Sequence, residues 1–182
     1  MSFSRILCDL SAEQISFLYA SVEGAEKSKV RLERLYSGSV NGYGSEVFHE
    51  RCDGISSTVT VCITPDNKIF GGYTDAKWDS DGSKHISCES MKSFLFRLSP
   101  GMEIFPQIAY PEYTIRGSSL WGPVFGYGAD LTINNNPHTC SRSYSNLGYT
   151  YRSNTEYPDT TSLAGSETFT LKDIEVFRVM HV

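Results

Sequence analysis

No apolar run in this 182-residue chain approaches the length of a bilayer span; the longest, such as Val59 to Ile63, are far too short. Charge of one sign is also scarce: 16 basic residues stand against 21 acidic ones, a net charge of -5. That balance gives no electrostatic footprint for nucleic acid or for an anionic membrane surface. Cysteine is sparse and odd in number, with Cys8, Cys52, Cys62, Cys88 and Cys140 forming no C-x-x-C pair. There is no N-x-S/T acceptor, and Met1 to Cys8 lacks a charged-then-apolar leader. These absences lead us to expect a reduced, cytoplasmic compartment without membrane insertion. Neither a repeat of fixed period nor a Pro/Gly/Ser linker divides the chain.

Aromatics, by contrast, are plentiful at 13%, mostly Tyr and Phe spread along the chain, which suits stacked strands better than a helix bundle. The pivotal stretch is Asn67 to Asp75, where Gly71-Gly72 interrupts a strand-like run between Phe70 and Tyr73. A glycine pair inside a strand pattern marks a bulge, a bend or a close approach of backbone. Thr58 to Ile63 is dense in Val, Thr and Ile, and Pro65-Asp66-Asn67 turns it back into Ile69 to Thr74 as a hairpin. Phe94 to Leu98 forms a buried strand, Gly122 to Ile133 resumes strand character, and Ile174 to Val179 alternates as a closing strand.

Helices are few. Ser11 and Gln14 occupy the two reciprocal positions of a capping box, and Ile15, Leu18, Tyr19 and Val22 then fall on one face. Gly24 suits its stop, and Ala25 to Lys29 a polar connection. Ser45 is placed to cap a short helix over Glu46 to Cys52, ended by Asp53-Gly54. Ser37 to Gly42 and Asp75 to Ser90 look like turn and loop. Ser141 to Ser166, with Tyr144, Tyr149, Tyr151 and Tyr157, looks like an exposed loop-rich face of the kind that carries binding residues. The expected fold is α+β, mainly antiparallel β: a two-sheet β-sandwich with a few short helices, residues 1–29 forming a helical leader packed on a domain of 30–182.

Motifs for chemistry are thin. His49-x-x-Cys52 and His85-x-x-Cys88 hold zinc-ligand residue types without a knuckle around them. Asp75, Asp79, Asp81 and Gly82 suggest a calcium loop, but aligning Gly82 to the sixth position puts Lys77 first and Cys88 twelfth, where carboxylates are required. Gly122 to Gly128 lacks the Lys-Ser/Thr ending of a phosphate loop, and no G-x-S-x-G elbow occurs. We therefore expect no cofactor, no metal and no catalytic centre. Two further readings remain open: a thiol-based redox enzyme or sensor using Cys52 or Cys140 with His49 or His138, and a glycan-binding module using the aromatic surface.

Seven segments in order carry a family resemblance: Leu35 to Ser39 with Gly42; Phe48-His49 with Cys52-Asp53-Gly54; Ile69 to Tyr73 with Trp78; Phe94 to Leu98; Gly122 to Gly126 with Asp130-Leu131; Ser143 to Gly148; and Leu163 to Ser166 through Phe177. From about Leu35 to Val179 the chain resembles a TLDc domain, the module of the oxidation-resistance proteins. The resemblance implies a sandwich of antiparallel sheets and a role in protection under oxidative stress. It also implies a protein partner, vacuolar-type proton-pumping ATPase subunits, whose assembly or activity the module would control. It supplies no catalytic residues. The binding or structural motif positions it marks are Ser39, Asp53, Gly54, Gly71, Gly72, Asp130, Gly165 and Glu175.

Overall fold

A computed structural model describes residues 5–23 and 29–182. The described residues open with two helices, α1 (Arg5–Asp9) and α2 (Ala12–Glu23). The Ser11 and Gln14 capping box forms as expected: the Ser11 N–H donates to Gln14 Oε1 at 2.9 Å and the Gln14 N–H to Ser11 Oγ at 3.2 Å. The expected stop at Gly24 and most of the following connection lie outside the described residues. Next come strand β1 (Val30–Ser37), the single turn α3 (Gly38–Asn41) and α4 (Ser45–Cys52). Ser45 is not the cap of α4. Gly44 holds that position without a side-chain bond, and the Ser45 hydroxyl instead donates to the Ser119 carbonyl, tying the helix to the second sheet.

The remaining strands are β2 (Thr58–Ile63), β3 (Ile69–Thr74), β4 (Lys84–Ile86), β5 (Phe94–Ser99), β6 (Glu103–Pro106), β7 (Ile115–Gly117), β8 (Trp121–Phe125), β9 (Leu131–Asn134), β10 (Ser143–Ser145), β11 (Thr168–Phe169) and β12 (Asp173–His181). Among the described residues they form two six-stranded antiparallel sheets, β1-β12-β2-β3-β5-β6 and β11-β10-β9-β8-β7-β4. This is the β-sandwich. The hairpin β2–β3 pairs from Thr58 with Thr74 to Ile63 with Ile69. The C-terminal strand is not at an edge: β12 lies between β1 and β2, so the last strand made fills the middle of the first sheet.

Period-two alternation divides the first sheet between two cores. Cys62, Phe70, Leu95, Ile174 and Val176 face the second sheet and pack with Trp78, Phe125, Leu131 and Tyr151. Val59, Val61, Phe96, Phe177 and Val179 face the other way, where Ile6, Leu10, Leu18 and Val22 of the two helices cover them. The sheet is thus buried on both faces, which is why β2 and β3 are buried at every position.

The glycine pair performs the close approach its pattern implies. A Cβ on Gly71 would lie 1.9 Å from the Thr60 carbonyl oxygen, and one on Gly72 within 2.8 Å of Leu95 and the Phe125 ring. A register irregularity between Ile69 and Phe70 in the β3–β5 pairing adds a local bulge.

Candidate interaction surface

At one end of the sandwich three loops meet, and each delivers tyrosines to the same spot. Tyr110 and Tyr113 flank the 3-10 turn Pro111–Tyr113, with Tyr110 itself in the left-handed region at φ 53°. Tyr127 follows Gly126 in the β8–β9 turn. Tyr149 and Tyr157 come from the long connection between β10 and β11. Their rings touch in a chain: Tyr113 to Tyr127 at 4.3 Å between centroids, Tyr127 to Tyr149 at 5.0 Å, Tyr149 to Tyr110 at 5.3 Å and Tyr149 to Tyr157 at 6.2 Å. Tyr110, Tyr127 and Tyr157 stay 43%, 46% and 54% exposed, so the cluster is a surface platform and not core.

A buried carboxylate holds the loops together. Asp130 has no exposure and accepts the backbone N–H groups of Tyr149, Thr150 and Tyr151 at 3.1 to 3.2 Å. Burial pushes its pKa up to about 6, against those three hydrogen bonds that favour the charged form. Gly126, at φ 87°, makes the room: a Cβ there would sit 1.9 Å from Asp130 Oδ2. The Tyr127 N–H donates to Thr150 Oγ1 at 2.9 Å, and the Ile108 N–H to the Thr150 carbonyl at 2.9 Å. Tyr151 lies beneath, fully buried, with its hydroxyl donating to the Thr114 carbonyl at 2.8 Å.

His85 on β4 borders the platform, 4.8 Å from Tyr113 and 5.6 Å from Tyr127 between ring centroids. Its Nδ1 is buried without a hydrogen-bond partner. Burial and the neighbouring Arg116 guanidinium both hold its pKa below the ordinary histidine value.

The motif residues are dispersed, and of them only Asp130 lies at this platform. The Ser39 N–H and hydroxyl both donate to Asp173, at 3.0 and 2.5 Å. Asp53 lies 2.8 Å from His49 Nδ1 and accepts from the Ser80 N–H at 2.9 Å, while the Gly54 N–H donates to the Trp78 carbonyl. These bonds lock the end of α4 to the loop after β3. Gly71 and Gly72 sit in β3, and Gly165, at φ 79°, lies against Lys68. Glu175 is fully buried on the helix-covered face, where Oε1 meets Arg34 Nη1 at 2.8 Å and Oε2 accepts the Ile6 N–H at 3.2 Å. It pins α1 to the sheet.

The chemistry motifs separate in the same way. His49 Nε2 faces the carbonyls of Ser118 and Trp121 and not a metal partner, and the Cys52 thiol is buried with its pKa raised by desolvation and by Asp53. His138 stacks on Tyr43 at 4.0 Å. Asp75 accepts from Cys88, Ser90 and Ser93, while Asp79 pairs with Lys84 at 2.7 Å. Among the described residues no three His, Cys, Asp or Glu side chains converge as a metal site.

The sequence pattern put Tyr144, Tyr149, Tyr151 and Tyr157 on an exposed face; Tyr149 and Tyr157 lie at the platform, but Tyr151 is fully buried, and Tyr110, Tyr113 and Tyr127, 22 or more residues upstream of Tyr149, were not marked. Tyr127 fell inside the stretch Gly122 to Ile133, expected to have strand character; that stretch is instead the β8–β9 hairpin with Tyr127 in its turn, and nothing local showed that the three loops share one end. Compared with known proteins, the chain matches a sequence model of the TLDc domain over residues 2–180. No curated protein matches it.

Proposed function

Since the chain belongs to the TLDc domain family, which is linked to oxidative-stress resistance, we propose that it is a non-enzymatic regulatory module that binds a protein partner through the tyrosine platform. The partner in this reading is the vacuolar-type proton-pumping ATPase, and the consequence of binding is a change in its assembly or activity. The observation that carries the reading is the exposed, loop-locked cluster of five tyrosines. Tyrosine offers large contact area with two rotatable side-chain angles and a polar tip, and it is enriched at the energetic centres of interfaces. Loops tied together by Asp130 lose little further entropy on docking. The reading takes the cytoplasm as the compartment, and the five free cysteines support that. No helix among the described residues is long and apolar enough to cross a membrane.

The deciding experiment is capture of purified proton-pump subcomplexes by the protein, paired with ATP hydrolysis measured with and without it. Binding that alters hydrolysis or releases subunits, and that weakens by about tenfold or more in Tyr127→Ala, is the expected result. A folded protein that neither binds nor changes hydrolysis overturns the partner. Undiminished binding by Tyr127→Ala overturns the platform as the contact.

A further inference from the structure

The platform's rings occupy one another's space. With centroids 4.3 to 5.3 Å apart along Tyr113, Tyr127, Tyr149 and Tyr110, they leave no slot between them for a cation or a sugar ring. What mutual contact between phenols does provide is electronic and covalent proximity, because radicals on adjacent rings need not diffuse to meet. We infer that the stack is a sink for one-electron oxidants of the peroxyl-radical class, ending in an intramolecular carbon–carbon bond between Tyr113 and Tyr127.

Each of two peroxyl radicals takes a hydrogen atom, one electron with one proton, from a phenol and becomes a hydroperoxide. The two phenoxyl radicals join through ring carbons ortho to their oxygens. The hydrogens on those carbons move to the oxygens and restore two phenols. The protein loses two hydrogens in all and gains one bond.

Tyr113 and Tyr127 are the favoured pair because their centroids are the nearest of the platform, at 4.3 Å with the ring planes tilted by 49°, a separation at which the two rings touch. Both backbones are fixed. The Tyr113 N–H donates to the Tyr110 carbonyl at 2.9 Å, the Gly126 N–H to the Thr114 carbonyl at 3.1 Å, and the Tyr127 N–H to Thr150. Tyr127 and Tyr110 are open to solution, whereas Trp78 and Tyr151 are fully buried. A hole arriving at Tyr110 reaches Tyr127 through Tyr149 by contacts of 5.3 and 5.0 Å. This activity stands apart from partner binding and needs no partner for its test.

The test exposes the protein to peroxyl radicals from a thermal azo initiator and maps tryptic peptides by mass spectrometry. The expected product, in monomeric protein, joins the peptides Leu98–Arg116 and Gly117–Arg142 with a mass two hydrogens below their sum. Tyr113→Phe and Tyr127→Phe, which keep the rings and the packing, each reduce that linkage by about tenfold or more, and prior unfolding does the same. Tyr144→Phe, outside the stack, leaves it unchanged. Oxidation spread evenly over Tyr19 and Tyr144, links found only between molecules, or persistence of the product in either Phe variant overturns the inference.

Discussion

Replacing Gly71 by alanine tests the close approach at the centre of the fold. The new Cβ would lie 1.9 Å from the Thr60 carbonyl oxygen and 2.9 Å from Phe96 Cζ. Clearing the backbone contact to 3.0 Å requires a displacement of at least 1.1 Å, the difference between the two distances. The Phe96 ring can rotate away, but Thr60 cannot, because β2 is held between β12 and β3 by ladders on both sides. Overpacking in a close-packed core costs about 1–3 kcal/mol. Losing the two ladder bonds that flank the shifted carbonyl adds about 2 kcal/mol at the usual net value of about 1 kcal/mol each. The sum, about 3–5 kcal/mol, corresponds to a fall in melting temperature of roughly 6–20 °C for a domain of this size. The nearest atoms to a Cβ on Gly72 belong to the side chains of Leu95 and Phe125, and Gly72→Ala is expected to cost about 1–3 kcal/mol. Thermal unfolding followed by circular dichroism, with urea titration for the free energies, measures both. A Gly71→Ala protein melting within about 3 °C of the parent, or one more stable than Gly72→Ala, would refute the backbone-contact argument.

Glu175→Ala leaves Arg34 without its buried carboxylate and Ile6 without its acceptor, so stability should drop by about 3–5 kcal/mol and amide exchange should rise in α1 before it rises in β2; uniform exchange across both would show that Glu175 does not specifically anchor the helix. Asp130, with its pKa raised to about 6 from an ordinary 3.8, contributes stability that is fully present below about pH 4 and is lost as pH rises through 6. The difference amounts to about 2 kcal/mol between pH 4 and pH 8, and urea titrations should show that slope in the parent but not in Asp130→Asn; equal slopes contradict it. Cys52 and Cys62, both buried with thiols pushed up by desolvation, should resist a thiol-specific disulfide reagent until denaturant is added, whereas exposed Cys8 reacts in the native protein. Rapid native labelling of Cys52 would revive a redox role for it.

Sequence pattern and structure agree where the determining interactions are local. The Ser11 and Gln14 capping box joins residues three apart, and the hairpin from Thr58 to Thr74 is set by a turn between two β-rich runs. They part where a residue has a distant alternative. Ser45 carries a good cap side chain, yet its hydroxyl goes to Ser119, 74 residues away, and Gly44 takes the cap position. Ser37 to Gly42 has turn composition, yet its backbone closes one helical turn because Asp173 of β12 accepts both donors of Ser39. Asp130 lies in a stretch whose pattern suggests strand; only folding puts it just ahead of β9, buries it beneath the platform and raises its pKa.

By itself the sequence determined the class of fold, the main strands, the capped helix and the need for glycine at positions 71 and 72, because periodicity, capping and steric volume act over a few residues. The tertiary structure alone decided that β12 enters the middle of the first sheet, that the helices cover its outer face, and that five tyrosines from three loops form one surface. Those outcomes depend on pairing register and burial between segments tens of residues apart, and no local pattern specifies which distant partner a strand or loop will meet.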